Sequence, residues 1–175
     1  MRVAVASFGG KSSQVSSASK RKHQLVAVLD NMRSIYNVGS MFRTADGAGI
    51  AHLYLCGTTP TPEHPRLAKT ALGAENTVSW SYHRNALDLV KLLKAEGYTL
   101  VALEGGDTAQ GLFSGGGDTP RSPLAFVVGN EVTGVDPGVL SECDTVFSIP
   151  MLGQKESLNV TVAFGVAAYC LLPFS

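Results

Sequence analysis

The chain has 175 residues, of which 45% are hydrophobic and 16% charged. That is long enough for one domain with a real core, and the composition excludes a disordered or fibrous chain. The net charge is zero, yet a polyanionic partner is not excluded: residues 1–84 carry ten Lys/Arg against four Asp/Glu, and residues 85–175 carry four against ten, an asymmetry that hints at a polyanion on one side.

The first 22 residues hold Arg2, Lys11, Lys20, Arg21 and Lys22 and no acid. Residues 7–19 (SFGGKSSQVSSAS) have neither helical nor strand period, so 1–22 reads as a flexible basic arm and 23–175 as the folded domain. Gln24–Leu29 reads as an apolar strand. Val38, Met41, Phe42, Ala45 and Ala48 recur at helical spacing and predict a helix over Val38–Ile50. His52–Leu55 follows as a strand, Thr59–Pro65 as a Pro-punctuated loop and Thr77–Tyr82 as a strand. Asn85–Glu96 reads as an amphipathic helix closed by Gly97. Thr99–Leu103 is a strand, Glu104–Arg121 a long Gly-rich loop and Leu124–Val128 a buried strand. Pro137–Glu142 is a short helix, Thr145–Ile149 a strand and Glu156–Leu172 the last helix. Alternation of this kind predicts an α/β fold, a mostly parallel sheet with helices on both faces. The last helix is apolar nearly all round, so it needs cover on more than one side: the sheet on one, another subunit on the other.

Several chemistries have no signature here. There is no GxGxxG after a strand, no GxxxxGK[ST] and no GxSxG around Ser157. Cys56, Cys143 and Cys170 are isolated, without CxxC or histidines at metal spacing; they read as reduced thiols of a cytoplasmic protein that holds no metal. No charged-then-apolar leader opens the sequence, and no apolar run reaches the ~18 residues of a membrane span.

Three segments do carry chemistry: Asn31–Gly47 (NMRSIYNVGSMFRTADG), Val127–Gly134 (VVGNEVTG) and Ile149–Val160 (IPMLGQKESLNV). Each follows or adjoins an apolar run, and together they place Asn37, Arg43, Glu131, Ser157 and Asn159 just outside predicted strands. In an open α/β sheet, ligands bind where the chain leaves the carboxyl ends of the strands. Gly129 directly after Val128, Pro150 ending the next strand and Leu103 ending a third offer apolar walls and unpaired backbone groups, suited to a flat heteroaromatic ring without phosphate. Each residue has a plainer use as well: Asn37, Ser157 and Asn159 as helix caps, and Arg43 as a surface ion-pair partner.

The order N-V-G-S-x-x-R-T-A-D, V-V-G-N-E-x-x-G, S-I-P-M, E-S-L-N-V resembles the SpoU (TrmH-like) RNA methyltransferases of the SPOUT superfamily, over about residues 24–172. The resemblance implies transfer of a methyl group from S-adenosyl-L-methionine to a ribose 2′-hydroxyl of tRNA or rRNA. It also implies a C-terminal deep trefoil knot, which topology rules alone would discount, and a homodimer whose subunits complete the active sites. By motif position, Asn37, Arg43, Glu131, Ser157 and Asn159 fall on catalytic positions, and Leu103, Gly129, Ile149, Met151 and Leu158 on cofactor contacts. A guanidinium rarely gives up its proton and is a poor base, so Arg43 reads better as an anchor for phosphate and ribose than as the group that removes the 2′-hydroxyl proton. Many relatives add an N-terminal RNA-binding domain where this chain has only the basic arm, and Ile35-Tyr36 stand where proline and glycine are frequent. Methylation of a base, or RNA binding without turnover, are the competing readings.

Overall fold

Leu25–Asp30 (β1) is buried at all six positions, as an apolar strand covered on both faces must be. The structure is a computed structural model and describes residues 24–106, 109–113 and 123–172; the basic arm and most of the Gly-rich loop lie outside these residues. Six more strands join β1: His52–Cys56 (β2), Trp80–His83 (β3), Thr99–Leu103 (β4), Gln110–Gly111 (β5), Leu124–Val128 (β6) and Thr145–Ser148 (β7). Their order in the sheet is β3-β2-β1-β6-β4-β7-β5, and every strand pairing is parallel.

Alternation along β1 decides the layers. Leu25, Ala27 and Leu29 face one core with Phe126, and Ile35–Ala48 (α1), Ala68–Ala71 (α2) and Val160–Leu171 (α5) cover it. Val26 and Val28 face the other, covered by Ala86–Ala95 (α3) and Pro137–Glu142 (α4). The Phe164 and Phe126 rings lie 5.0 Å apart, centroid to centroid, and seat α5 on the sheet. The α/β fold with helices on both faces is therefore as the sequence implies.

Several boundaries differ, each for a local reason. The first helix starts at Ile35 rather than Val38: Ser34 is the N-cap, its Oγ accepting from the Asn37 N–H at 3.3 Å. Asn37 is thus inside the first turn and caps nothing. The helix ends at Gly49, whose φ of 68° lets its N–H close back on the Ala45 and Asp46 carbonyls. The third strand starts at Trp80, because Thr77 Oγ donates to the Asp46 carboxylate at 2.7 Å and holds residues 77–78 in a turn. α2 and the 3-10 turn Ala74–Asn76 have too few residues to show a period in sequence; the pair of Leu67 and Ala71, both buried, holds α2 on α1. The last helix begins at Val160, not Glu156, with Asn159 as its cap.

Two relationships position the site. The registers Leu29↔Val128, Leu103↔Val128 and Leu103↔Phe147 bring the carboxyl ends of β1, β6, β4 and β7 to one edge. In addition, β7 lies between β4 and β5, which precede it in the chain, and from there the chain returns to α5 beside α1.

Candidate active site

Where β6, β4 and β7 end, the chain leaves a cleft of about 500 Å³. β4 contributes Leu103 and Glu104; β6 and the turn after it contribute Gly129, Asn130 and Glu131; the segment after β7 contributes Ile149, Met151, Ser157, Leu158 and Asn159. All five positions expected to touch a cofactor, Leu103, Gly129, Ile149, Met151 and Leu158, line this one cleft, as do Glu131, Ser157 and Asn159.

The floor is a turn folded onto itself. Asn130 and Gly134 exchange backbone hydrogen bonds at 3.0 and 2.9 Å. Asn130 Oδ1 accepts from the Val132 and Thr133 N–H groups, and its Nδ2 donates to the Asn31 carbonyl at 2.8 Å. A Cβ on Gly129 would collide with the backbone of Gly134 and Val135. Glycine is required there first by the turn, and only then by any ligand. Gly134, with φ of 73°, leaves room for the Glu104 carboxylate, which accepts from the Val135 N–H at 2.8 Å.

Glu131 joins this turn to the start of α1. Its two oxygens accept from the Arg33 N–H (3.0 Å), the Ser34 N–H (3.1 Å) and the Asn37 side-chain amide (2.9 Å). These backbone donors lie at the positive end of the helix, where a carboxylate is favoured. Burial alone would raise the Glu131 pKa; the hydrogen bonds from Arg33, Asn37 and Ser34 outweigh it and hold the carboxyl below its ordinary value. The Glu131 carboxylate thereby ties the turn after β6 to the start of α1.

On the opposite wall, Asn159 caps α5 through Oδ1, which accepts from the Thr161 N–H at 2.8 Å and from the Thr161 hydroxyl. Its capping use is real, and among the described residues its Nδ2 has no hydrogen-bond partner. Ser157 is exposed beside it. Arg43 is not brought to this cleft. It is exposed on α1, six residues after Asn37, which is ~9 Å along the axis and ~120° around it. Two further residues shape the site without standing out in the sequence: Glu104, which lines the cleft, and Ser34, whose N–H holds Glu131 at the start of α1. Glu104 reads in sequence as the first residue of a loop, although a carboxylate directly after strand-ending Leu103 is a usable signal. Ser34 was hidden by the apolar Ile35, which obscures where α1 begins.

Carboxylates Glu104, Glu131 and Glu156 line the cleft, and among the described residues no cationic side chain does. Such a site accommodates a ligand bearing positive charge. Among the described residues, no cluster of three or more His, Cys, Asp or Glu is placed to hold a metal ion, and no helix is long and apolar enough to cross a membrane.

The family model described as the SpoU rRNA Methylase family matches residues 24–169. The chain belongs to the SpoU rRNA methylase family. It is 34% identical over 149 residues to the 23S rRNA (guanosine(2553)-2'-O)-methyltransferase RlmP of Bacillus subtilis (strain 168), covering 83% of this chain and 57% of that protein. To the tRNA (guanosine(18)-2'-O)-methyltransferase of Escherichia coli (strain K12) it is 29% identical, covering 86% of this chain and 64% of that one. The chain thus spans less than two thirds of either relative. In fold it is similar to the AdoMet-bound rRNA methyltransferase from Sinorhizobium meliloti, with a TM-score of 0.79 at 24% identity over 86% of this chain and 57% of that one. The three motifs that define this SpoU member in sequence meet at one sheet edge.

Proposed function

We propose that the protein is an RNA 2′-O-ribose methyltransferase that uses S-adenosyl-L-methionine and acts on tRNA or rRNA. One observation carries the reading: the carboxyl ends of β6, β4 and β7 and the segment before α5 form a single cleft that unites Leu103, Gly129, Ile149, Met151 and Leu158 with Glu131, Ser157 and Asn159. The donor set fits the cofactor. Exposed strand-end backbone groups suit an adenine edge, Leu103, Ile149, Met151 and Leu158 supply apolar walls, and the carboxylates among the described lining residues suit a sulfonium. When bound, S-adenosyl-L-methionine supplies a methyl group activated for transfer to an oxygen nucleophile.

The chain's own residues then hold the reacting groups. Glu131 and Asn37 lock the turn after β6 to α1 and so fix one wall. Ser157 and the free amide of Asn159 offer hydrogen bonds to ribose or phosphate from the other. Arg43 anchors the target phosphate and ribose through its planar fork and takes up no proton. Its position on α1 supports a site shared between two subunits. Thr44 packs beside Gly165 and Gly47 beside Tyr169 across the α1–α5 seam, leaving Arg43, Tyr36, Val162 and Tyr169 exposed along it. In the homodimer this face meets its copy, covering the exposed side of α5, and Arg43 of one subunit completes the other's site.

We further propose the trefoil knot, supported by β7 lying between two earlier strands of the chain, a cytoplasmic location, supported by the free thiols of Cys56, Cys143 and Cys170, and residues 1–22 as an RNA-binding arm. Calorimetry tests the cofactor: S-adenosyl-L-methionine and its demethylated product bind, and NAD and ATP do not. Binding of NAD without S-adenosyl-L-methionine overturns the reading.

A further inference from the structure

From the cofactor cleft a line of hydrogen bonds runs along the carboxyl edge of the sheet to its far side. Asn130 Nδ2 holds the Asn31 carbonyl at 2.8 Å, and Asn31 Oδ1 accepts from the Thr58 N–H at 3.1 Å. Gly57, adjoining Thr58, has φ of 61° and no room for a Cβ against the Asn31 side chain. Its N–H donates to the His83 carbonyl at 3.0 Å, and its carbonyl accepts from the Tyr82 hydroxyl at 3.0 Å. The line crosses β6, β1, β2 and β3, three strand spacings or ~14 Å. It forms a braced ledge that ends on an aromatic ring.

Tyr82 is 51% exposed although its hydroxyl is tied down. Its ring is therefore held in place with half its surface open to solvent. Arg33 stands on the ledge beside Glu131, and Arg84 follows Tyr82 closely in a hollow lined by His83, Asn85, Asp88, Leu89 and Leu92. Among the described residues, salt bridges join only Lys91 and Lys94 to Glu142 and Asp144, so Arg33 and Arg84 are uncommitted. Two carboxylates near this edge are already engaged: Asp30 is buried, with its pKa raised by burial, and the Glu131 carboxylate accepts three hydrogen bonds from Arg33, Ser34 and Asn37. Asp88 is the acid that remains beside Arg84. Histidines 52 and 83 add no charge at neutral pH. Burial and the neighbouring His83 push His52 down to about 4, and burial lowers His83.

Resting on the methyltransferase reading, we propose that this ledge carries the RNA strand flanking the modified nucleotide. Arg33 and Arg84 meet phosphates, and the open face of Tyr82 stacks on a base. A fixed aromatic face with unpaired cations is how proteins hold single-stranded nucleic acid without reading its sequence. A duplex keeps its bases stacked on each other, so the ledge selects an unpaired loop or end.

The test uses the full chain and a fluorescent single-stranded oligoribonucleotide of mixed sequence, with anisotropy read across a salt series. Tyr82→Leu should weaken binding between about fivefold and a hundredfold, the range for one lost base–aromatic stack. Tyr82→Phe should bind like wild type, because the ring remains. Arg84→Gln should flatten the salt slope by about one unit or slightly less. All three should remain folded and keep the wild-type affinity for S-adenosylhomocysteine. Wild-type RNA affinity and slope in Tyr82→Leu and Arg84→Gln overturn the ledge and leave the methyltransferase reading standing. So does equal loss in Tyr82→Phe and Tyr82→Leu, which would make the hydroxyl brace the cause. A wild-type chain that binds this RNA with the expected variant pattern but no cofactor overturns the methyltransferase reading instead.

Discussion

The side-chain amide of Asn37 donates to the carboxylate of Glu131 at 2.9 Å across 94 residues of sequence. This bond joins the first motif to the second. With the Arg33 and Ser34 N–H groups on the same carboxylate, it ties the turn after β6 to the start of α1.

That tie has a pH signature. Because the folded Glu131 carboxyl sits below its ordinary value, its stabilisation is complete above the unfolded pKa of ~4.3 and is lost as pH falls through the folded value. Glu131→Gln should unfold at lower temperature than wild type at neutral pH, by an amount reflecting up to about 1 kcal/mol for so exposed a group. The gap should close in acid. Thermal melts from neutral to strongly acidic pH read it, and a gap that stays constant would show that the charge plays no part.

Gly129→Ala should fail as a fold before it fails as a ligand site. The added methyl meets the Gly134 carbonyl and the Val135 nitrogen, so the turn must open at a cost of about 1–3 kcal/mol. Melting temperature and calorimetric cofactor affinity should fall together. A variant with native stability and no cofactor binding would assign the glycine to the ligand instead.

The sequence made the site legible through strand ends rather than through helices. Leu103, Gly129 and Ile149-Pro150 mark where apolar runs stop, and a parallel sheet brings such stops to one edge, so the cleft follows from the alternation itself. Helix starts were harder to read. Ser34 and Asn159 are the true caps, but Ile35 and Leu158 beside them blur the polar-to-apolar step. Arg43 shows a further limit. Six residues after Asn37 it is on the same helix but not at the same cleft, and a single chain does not show what lies opposite an exposed helix face. Tyr82 carries no signal in the sequence, since its exposure arises only once strands pair.

The α1–α5 face should be a dimer interface that supplies Arg43. Sedimentation at micromolar concentration should give twice the chain mass, and Val162→Arg, a charge placed on the exposed row of α5, should give monomers. Arg43→Ala should lower kcat roughly a hundredfold or more while cofactor affinity holds, as for loss of one preorganised electrostatic group. Arg43→Lys should not restore it. Mixing Arg43→Ala with a Ser157→Ala, Asn159→Ala double variant should regain part of the activity if the sites are shared. A fully active monomer would end the shared-site account.

Removing residues 1–22 deletes five positive charges. RNA affinity should fall and the slope of log affinity against log salt should flatten, by at most ~3.5–4.5 units if every charge meets a phosphate. Cofactor binding should not change. Identical RNA binding across salt would make the arm a bystander.

The chemistry to be tested is arrival of the methyl group on a ribose 2′-oxygen. The direct measurement is nucleoside mass spectrometry with alkaline hydrolysis of tRNA and rRNA incubated with the protein and isotopically labelled S-adenosyl-L-methionine. Label should appear in a 2′-O-methylated nucleoside with an alkali-resistant linkage at that site, because a methylated 2′-oxygen cannot attack the adjoining phosphate. Label in a base-methylated nucleoside, with the linkage still cleaved by alkali, would contradict it.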